Sequence, residues 1–184
     1  MIRHMSAADD VTPFVLAAMN WRDDGHWTEA TLLSQPQVAH YVTGWMGIGD
    51  AGVMACEGDT PAGAAWWRTF TSSDPGYGYV ADDIPEVGLA VFGPYRGKGL
   101  ARALVTALVE RATLEGIAAL SLSVEGENLA ARSLYEDLGF TAVGRVGESD
   151  TMVLTLSSNS GEPESESEQP GPAREILVRS SIHP

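Results

Sequence analysis

The stretch that most limits how this chain can fold is residues 87–105, VGLAVFGPYRGKGLARALV. It reads as a short apolar strand, a glycine-rich turn and a helix whose leucines recur on one face. A helix that begins at such a turn directs unpaired backbone N–H groups and the positive end of its dipole toward the turn. Gly97 and Gly99 leave an anion room to approach that backbone. The segment therefore predicts a ligand that carries phosphate.

The charges of this segment support the same prediction. Residues 93–102 contain Arg96, Lys98 and Arg102 and no acid, although the whole chain has 25 acids against 11 bases and a net charge of −14. A local basic cluster at a helix start suits a phosphate group. The alternative is an ordinary strand-to-helix turn with solvent-exposed bases, because short motifs of this kind often occur by chance.

Two familiar phosphate-binding motifs do not fit. A nucleoside triphosphate loop requires a glycine, four residues and then Gly-Lys-Ser/Thr. Here Gly93 stands one residue too close to Gly97, and Gly99 replaces the hydroxyl that would bind magnesium. A dinucleotide turn fails because Arg102 fills its last glycine position and because the segment follows a predicted hairpin. Both nucleotide-binding classes are disfavoured.

The rest of the chain alternates between strand and helix patterns, which predicts an α/β domain over residues 1–156. The predicted strands cover 2–5, 52–57, 62–71, 86–91, 120–124, 140–146 and 151–156. The predicted helices cover 9–20, 28–45, 100–115 and 128–138, and Pro36 resets the second of them. Residues 157–184 begin with an acidic Ser/Glu/Pro-rich run, for which we predict a flexible tail.

Composition excludes several functional classes. We find no apolar run long enough for a membrane helix and no apolar signal region at the N-terminus, so a cytoplasmic location is expected. Cys56 is the only cysteine and the four histidines show no metal spacing, so no metal is expected. The net charge disfavours nucleic acid and anionic membrane as partners and favours cationic small molecules or basic peptides.

Two separate motifs resemble one known family. Arg96-x-x-Gly99-x-Ala101 matches the (Q/R)-x-x-G-x-(G/A) acetyl-CoA signature of GNAT N-acetyltransferases. Residues 122–140 are similar to the second coenzyme region of that family, with Asn128 opening a helix, Tyr135 seven residues later and a closing Leu-Gly-Phe. The resemblance implies the GNAT fold, a central mixed and mostly antiparallel sheet flanked by helices. Members of this family often dimerise, which makes a homodimer one expectation.

The resemblance also implies how acetyl-CoA binds. Backbone amides of the glycine turn would hold the pyrophosphate, and the pantetheine arm would pair along the fourth strand where it separates from the fifth. A backbone N–H near Val91 would polarise the thioester carbonyl. The implied acetyl-CoA contacts are Leu89, Ala90, Val91, Arg96, Gly97, Lys98, Gly99, Leu100, Ala101 and Asn128.

The resemblance implies that Tyr135 protonates the leaving thiolate of coenzyme A. Tyr135 has a structural alternative, since neighbouring leucines on the same helix would make it a packing residue. Asn128 is likewise a good helix N-cap residue, and the two roles are compatible.

The general base is left open between Glu86 and Asp83. Some family members carry a glutamate early in the fourth strand, a position that falls by strict counting on Pro85. Others, including ribosomal-protein N-terminal acetyltransferases, carry one in the fifth strand, where this chain has Ser123 and no acid before Glu125. That departure disfavours the ribosomal-protein type. The alternative is that the acids of the loop before the fourth strand form only a solvated surface.

The acceptor site is expected beside the tryptophans. Residues 21–27 carry Trp21 and Trp27 next to acids, an arrangement that suits a cationic amine. Trp66 and Trp67 point to opposite faces of a strand, so only one of them can face a cleft. The predicted function is acetyl transfer from acetyl-CoA to a primary amine of a cationic small molecule, by direct attack in a ternary complex. The alternatives are protein N-terminal or lysine acetylation, and a non-catalytic acyl-CoA sensor.

Overall fold

The computed structural model describes residues 1–22 and 25–156. The strands are β1 (Ile2–His4), β2 (Ala51–Glu57), β3 (Thr60–Arg68), β4 (Glu86–Val91), β5 (Ala119–Glu125), β6 (Thr141–Val146) and β7 (Ser149–Thr155). The helices are α1 (Thr12–Met19), α2 (Glu29–Leu33), α3 (Pro36–Ala39), α4 (Leu100–Leu114) and α5 (Leu129–Asp137), with a 3-10 turn at Gly93–Tyr95 before α4. The predicted tail, residues 157–184, lies outside the described residues and stays a prediction.

The strands form one seven-stranded sheet in the order β1-β2-β3-β4-β5-β7-β6. Every neighbouring pair is antiparallel except β4 and β5, which are parallel. A parallel pair needs a crossover connection, and α4 supplies it. The predicted mixed, mostly antiparallel sheet flanked by helices is therefore confirmed.

Helices cover both faces of this sheet, and each face has its own apolar core. The alternation of β3 sends Trp67 into the core that contains Leu104, Leu108 and Tyr135 from α4 and α5. Trp66 enters the opposite core, which contains Phe14 from α1. As expected, the two tryptophans face opposite sides, and the layer containing α1, α2 and α3 is the one that covers Trp66.

The helix predicted over 28–45 is wrong in its second half. Pro36 does begin a new helix, but α3 ends at Ala39 and turns continue through residue 46. The guanidinium of Arg68 accounts for this, because it donates to three backbone carbonyls of these turns. Its acceptors, at 2.6, 2.9 and 3.1 Å, are the oxygens of His40, Thr43 and Gly44.

Helix α1 begins later than the predicted residue 9. Pro13 lies in its first turn, where proline is best tolerated. Asp9 instead pairs with Arg3 of β1 at 2.5 Å, which fastens the segment before the helix to the sheet edge. Among the helices of residues 1–22 and 25–156, none combines the length and the hydropathy needed to cross a membrane.

Candidate active site

The candidate active site begins where β4 and β5 separate. These parallel strands pair at one register position, Glu86 opposite Ser121, and the Ser121 N–H donates to the Pro85 carbonyl at 2.9 Å. Beyond that position the described strands share no ladder, so the later part of β4 has an open edge. A parallel pair that diverges in this way leaves backbone groups available to an extended ligand.

The open edge presents the backbone of Leu89 and Val91. The Phe92 N–H donates to Ala62 in the opposite direction, toward β3, at 3.0 Å. Because successive residues of a strand direct their N–H groups to alternate edges, Leu89 and Val91 direct theirs toward β5. Ala90 is also a predicted contact. Its backbone pairs with β3, so it lines the cleft with its side chain.

The predicted phosphate-binding turn leads directly into α4. Gly99 is the N-cap residue, has a left-handed φ of 77° and makes no side-chain cap, and no acid lies in the first turn of the helix. Gly97 has a similar φ of 74°. The first N–H groups of α4 therefore have no intrahelical acceptor, and this end of the helix is suited to an anion. Arg96 stiffens the turn, since its Nε donates to the Val91 carbonyl at 3.0 Å.

The basic cluster of the turn is smaller than its sequence indicated. Arg102 lies one turn into α4 and forms an ion pair with Asp137 of α5 at 2.7 Å. It therefore joins two helices, and its charge is compensated. The Lys98 ammonium lies 5.9 Å from the centre of the Tyr95 ring, on the turn itself. Arg96 and Lys98 lie on the turn itself.

One cavity of about 820 Å³ connects the turn, the open edge and the aromatic residues near α1. At one end it is lined by Arg96 and Ala101, and along its middle by the β4 edge and the start of α5. Its volume lies within the range of ligand-binding pockets. Predicted contacts that line it are Leu89, Ala90, Val91, Arg96, Ala101 and Asn128. Gly97, Lys98, Gly99 and Leu100 lie on the adjoining turn, where an anion would be held by backbone.

Helix α5 contributes Asn128 and Tyr135 to this cavity. The Asn128 side chain accepts a hydrogen bond from the Ala131 N–H at 3.2 Å, so it does cap the helix, and only its amide group is left to donate to a ligand. Tyr135 is 7% exposed and packs on Phe140 at a ring distance of 5.7 Å. Burial raises the pKa of the Tyr135 phenol, so this side chain stays protonated at neutral pH. Both the packing role and the proton-donor role are compatible with this position.

Glu86 is a buried carboxylate at the start of β4, with an exposed fraction of 7%. Its Oε1 accepts a hydrogen bond from the Tyr41 hydroxyl at 2.9 Å, and its Oε2 has no partner among the described residues. Burial raises the pKa of Glu86 to about 7, and the Tyr41 hydroxyl and the Gly78 amide oppose this more weakly. A carboxylate that titrates near neutral pH is suited to take a proton from an ammonium group.

The alternative base, Asp83, does not share this position. It is exposed to solvent in the loop before β4 and does not line the cavity. Its neighbour Asp82 accepts hydrogen bonds within that loop, from the Tyr79 hydroxyl and the Ser72 N–H. Among the candidate bases, Glu86 alone is placed in the cavity wall.

The end of the cavity farthest from the turn is aromatic. Trp21, Trp27 and Trp66 line it, whereas Trp67 lies in the opposite core with its Nε1 donating to the Gly49 carbonyl at 2.7 Å. Arg22 continues this wall, because its guanidinium lies 4.4 Å from the Trp21 ring centre and pairs with the Glu125 carboxylate at 2.6 Å.

Tyr41, Arg68 and Tyr77 also line the cavity and were not found from the sequence. They come from the turns after α3, the end of β3 and the loop before β4, and no motif joins them. What these residues share is a position beside Glu86 or beside a residue that contacts it, and only the tertiary structure shows this. The part of the chain that the structure describes contains no group of three His, Cys, Asp or Glu that could hold a metal ion.

Comparison with known proteins agrees with this geometry. The sequence matches the model of the Acetyltransferase (GNAT) family over residues 17–140, which is more than half of the chain. The chain belongs to the GNAT family of acetyltransferases. The predicted family and the predicted acyltransferase class are thereby confirmed.

Curated relatives share a shorter segment. [Ribosomal protein bS18]-alanine N-acetyltransferase of Escherichia coli (strain K12) is 41% identical over 61 residues, which are 33% of this chain and 41% of that enzyme. N-acetylaspartate synthetase of Danio rerio is 39% identical over 66 residues, which are 36% of this chain and 22% of that protein. The chain thus matches less than half of the length of these relatives.

Solved structures share the fold over most of their length. Phosphinothricin acetyltransferase from Sinorhizobium meliloti, solved with acetyl-CoA, has a TM-score of 0.62 and 20% identity, covering 90% of this chain and 93% of that one. The PaiA N-acetyltransferase from Thermoplasma acidophilum, in complex with coenzyme A, has a TM-score of 0.59 and 17% identity, covering 85% and 98%. The predicted cosubstrate agrees with the ligands of both proteins.

The predicted phosphate-binding role of the turn before α4 can be tested with a pair of nearly isosteric substitutions. Gly99→Asp places a negative charge at the helix start, so coenzyme A affinity should fall by tenfold or more, about 1.4 kcal/mol at least. Gly99→Asn carries a similar side chain without the charge and tolerates the left-handed φ better than most residues. Isothermal titration should therefore show a clearly smaller loss for asparagine. Equal losses would assign the effect to backbone strain, and unchanged binding by folded Gly99→Asp would contradict a phosphate site.

Proposed function

We propose that this protein transfers the acetyl group of acetyl-CoA to a primary amine, by direct attack in a ternary complex. The observation that carries the proposal is the single cavity, in which the α4 turn, the open β4 edge, Tyr135 and Glu86 lie together. An anion-binding helix start and a strand edge suit the coenzyme, and the acid-base pair suits the reaction. Acetyl-CoA supplies the acetyl group as a thioester.

In this proposal the chain positions the coenzyme mainly through its backbone. The turn from Arg96 to Ala101 holds the pyrophosphate, and the Val91 N–H, which faces β5, donates to a pantetheine amide carbonyl. The Leu89 N–H, on the same edge and two residues nearer to Glu86, donates to the thioester carbonyl oxygen, where negative charge develops in the transition state. The Asn128 amide group donates to the pantetheine from the other side of the cleft.

The proton transfers are assigned to two side chains. Glu86 accepts a proton from the acceptor ammonium, which frees the nitrogen lone pair for attack on the acetyl carbon. As the new N–C bond forms and the C–S bond breaks, the nitrogen gives up its second proton and Tyr135 donates its own proton to the departing sulfur. The proton that the nitrogen releases in this step balances the one that the Tyr135 phenolate must regain. The raised pKa of Glu86, about 7, keeps both its ionised and its protonated form accessible near neutral pH.

The acceptor is proposed to be a small cationic amine. Three tryptophans and Tyr41 line this end of the cavity, and aromatic faces attract cations. Arg68, which lies across the β3–β4 ladder from Glu86, is paired with Asp50 at 3.0 Å, so its charge is already compensated. Acceptors that carry a carboxylate beside the amine should therefore be poorer substrates than diamines or polyamines.

A second candidate acceptor is a peptide N-terminus. The observation that favours it is the local identity with the bS18-alanine N-acetyltransferase of Escherichia coli over 61 residues. In a peptide, the N-terminal amine lies beside a neutral amide carbonyl and not beside a carboxylate. The disadvantage expected for free amino acids therefore does not apply to it. Position 123 of β5 is a serine, and the glutamate that β5 does contain, Glu125, is paired with Arg22, which argues against the mechanism of that type.

The decisive experiment is a thiol-release screen with acetyl-CoA against polyamines, amino sugars, amino acids and short peptides. We expect the highest kcat/KM for a polyamine or another small cation and low values for amino acids. The best turnover on peptides would replace the small-molecule proposal with the second candidate. Tight coenzyme binding by calorimetry without thiol release from any amine would instead indicate a sensor.

A further inference from the structure

The Tyr41 hydroxyl connects two parts of the cavity wall that are far apart in sequence. It donates to Glu86 Oε1 at 2.9 Å and accepts from the Tyr77 N–H at 2.6 Å. The direction of the first bond follows from the second. Since the Tyr77 amide can only donate, the tyrosine oxygen accepts there and its proton is free to point to the carboxylate. Glu86 Oε1 is therefore held as an acceptor, and a proton that binds Glu86 is directed to Oε2.

The segment that carries Tyr41 is itself fixed to the sheet. Arg68 donates to the carbonyls of His40, Thr43 and Gly44, on both sides of Tyr41, and its charge is balanced by Asp50. These bonds define the turns that follow α3. Arg68, which is buried on β3 opposite Glu86 of β4, therefore fixes the position of Tyr41.

The loop before β4 packs closely against the same carboxylate. A Cβ added to Gly76 would lie 2.1 Å from Glu86 Oε2 and 2.8 Å from the Phe70 ring, so a larger residue would displace the carboxylate or the ring. The Tyr77 ring stacks on Tyr41 at a centroid distance of 6.0 Å and an interplanar angle of 13°. Tyr77 also lines the acceptor end of the cavity. The Tyr41 hydroxyl therefore bonds both the loop, at the Tyr77 N–H, and the Glu86 carboxylate.

The ionisable groups around Glu86 come from each packed element. Arg68 lies opposite on β3, Tyr41 follows α3, and Tyr77 belongs to the loop. On the far side of the Tyr41 ring, His40 packs at 4.7 Å and bonds Asp74 through Nδ1 at 2.8 Å. Of these groups in the described part of the chain, Tyr41 donates a side-chain hydrogen bond to the carboxylate.

We propose that Tyr41 is a positioning residue for acetyl transfer, which orients the Glu86 carboxylate and ties it to the acceptor-side loop at Tyr77. This inference rests on the proposed role of Glu86 as the general base. Tyr41 acts through Glu86 and takes no proton from the acceptor itself. Its expected signature is a change in the pH dependence of the reaction rather than a uniform loss of activity.

The test is the pH profile of kcat/KM for Tyr41→Phe. Removing the hydroxyl takes a donor away from the ionised carboxylate, so the ascending limb should move to higher pH by about one to two units. Activity should fall most below the new midpoint and recover in part above it. Tyr79→Phe is the matched control, since its hydroxyl bonds Asp82 in the same loop and should leave the profile unchanged. Thermal melting of each variant checks that it is folded.

The same profile is measured in Glu86→Gln and in the double variant. If Tyr41 acts through Glu86, then Tyr41→Phe should change kcat/KM by no more than about twofold once Glu86 is replaced. A limb that persists in Glu86→Gln would show that Glu86 is not the base, and the proposed mechanism would fail with this inference. A limb that is lost in Glu86→Gln but unmoved in Tyr41→Phe would leave the base intact and refute the positioning role alone.

Discussion

Tyr135→Phe is expected to slow acetyl transfer by about 10²–10⁴-fold, the usual range for a lost general acid. The substitution keeps the aromatic ring, so its packing on Phe140 in the apolar core should survive. Acetyl-CoA affinity should change little, because the hydroxyl is used only as the C–S bond breaks. The rate should be measured under pre-steady-state conditions at saturating acetyl-CoA, since slow product release can conceal a defect in chemistry.

The control for this variant is Tyr79→Phe, which removes a phenol hydroxyl outside the cavity wall. It should retain transfer rates within about twofold, as surface substitutions away from the site usually have small effects. If Tyr135→Phe also transfers acetyl at the wild-type rate, Tyr135 is a packing residue. A water molecule would then have to supply the proton to the thiolate.

Glu86→Gln is expected to abolish the ascending limb of the wild-type pH profile and to reduce kcat/KM above pH 7 by about 10²–10⁴-fold. The wild-type limb should have its midpoint near the raised pKa of Glu86, about 7, because the ionised form is the base. Asp83→Asn is the matched control, since Asp83 is an exposed acid of the preceding loop, and its profile should be that of the wild type. A profile altered by Asp83→Asn alone would move the base to the loop.

The melting temperature of Glu86→Gln at different pH values shows how Glu86 affects folding, independently of its role in the reaction. A carboxyl group whose pKa is raised by folding stabilises the folded state at pH values below its unfolded pKa, and that contribution is lost as the pH rises through about 7. Glutamine carries no charge to bury at any pH. The melting temperature of the variant, relative to wild type, should therefore increase between pH 6 and pH 8. A relative decrease would indicate that ionised Glu86 is stabilised by its surroundings.

Local chemistry made several elements predictable. The strand β4 has the predicted bounds, because an apolar run between proline and a glycine turn has few other conformations. Gly99 and Asn128 occupy the helix starts that their residue types favour. The helix over 28–45 failed as a prediction, since helical periodicity there is overruled by the bonds that Arg68 makes to the backbone.

The sequence by itself determined the strand, the glycine turn, the capped helix and the family to which they point, since each depends on residues close together in the chain. Only the tertiary structure decided how the site is assembled. Three features of the site depend on residues that are 35 or more positions apart in the chain. They are the point where β4 diverges from β5, the pairing of Arg102 with Asp137, and the bond from Tyr41 to Glu86. Such contacts depend on which faces the sheet order brings together, and no local pattern of residues encodes that order.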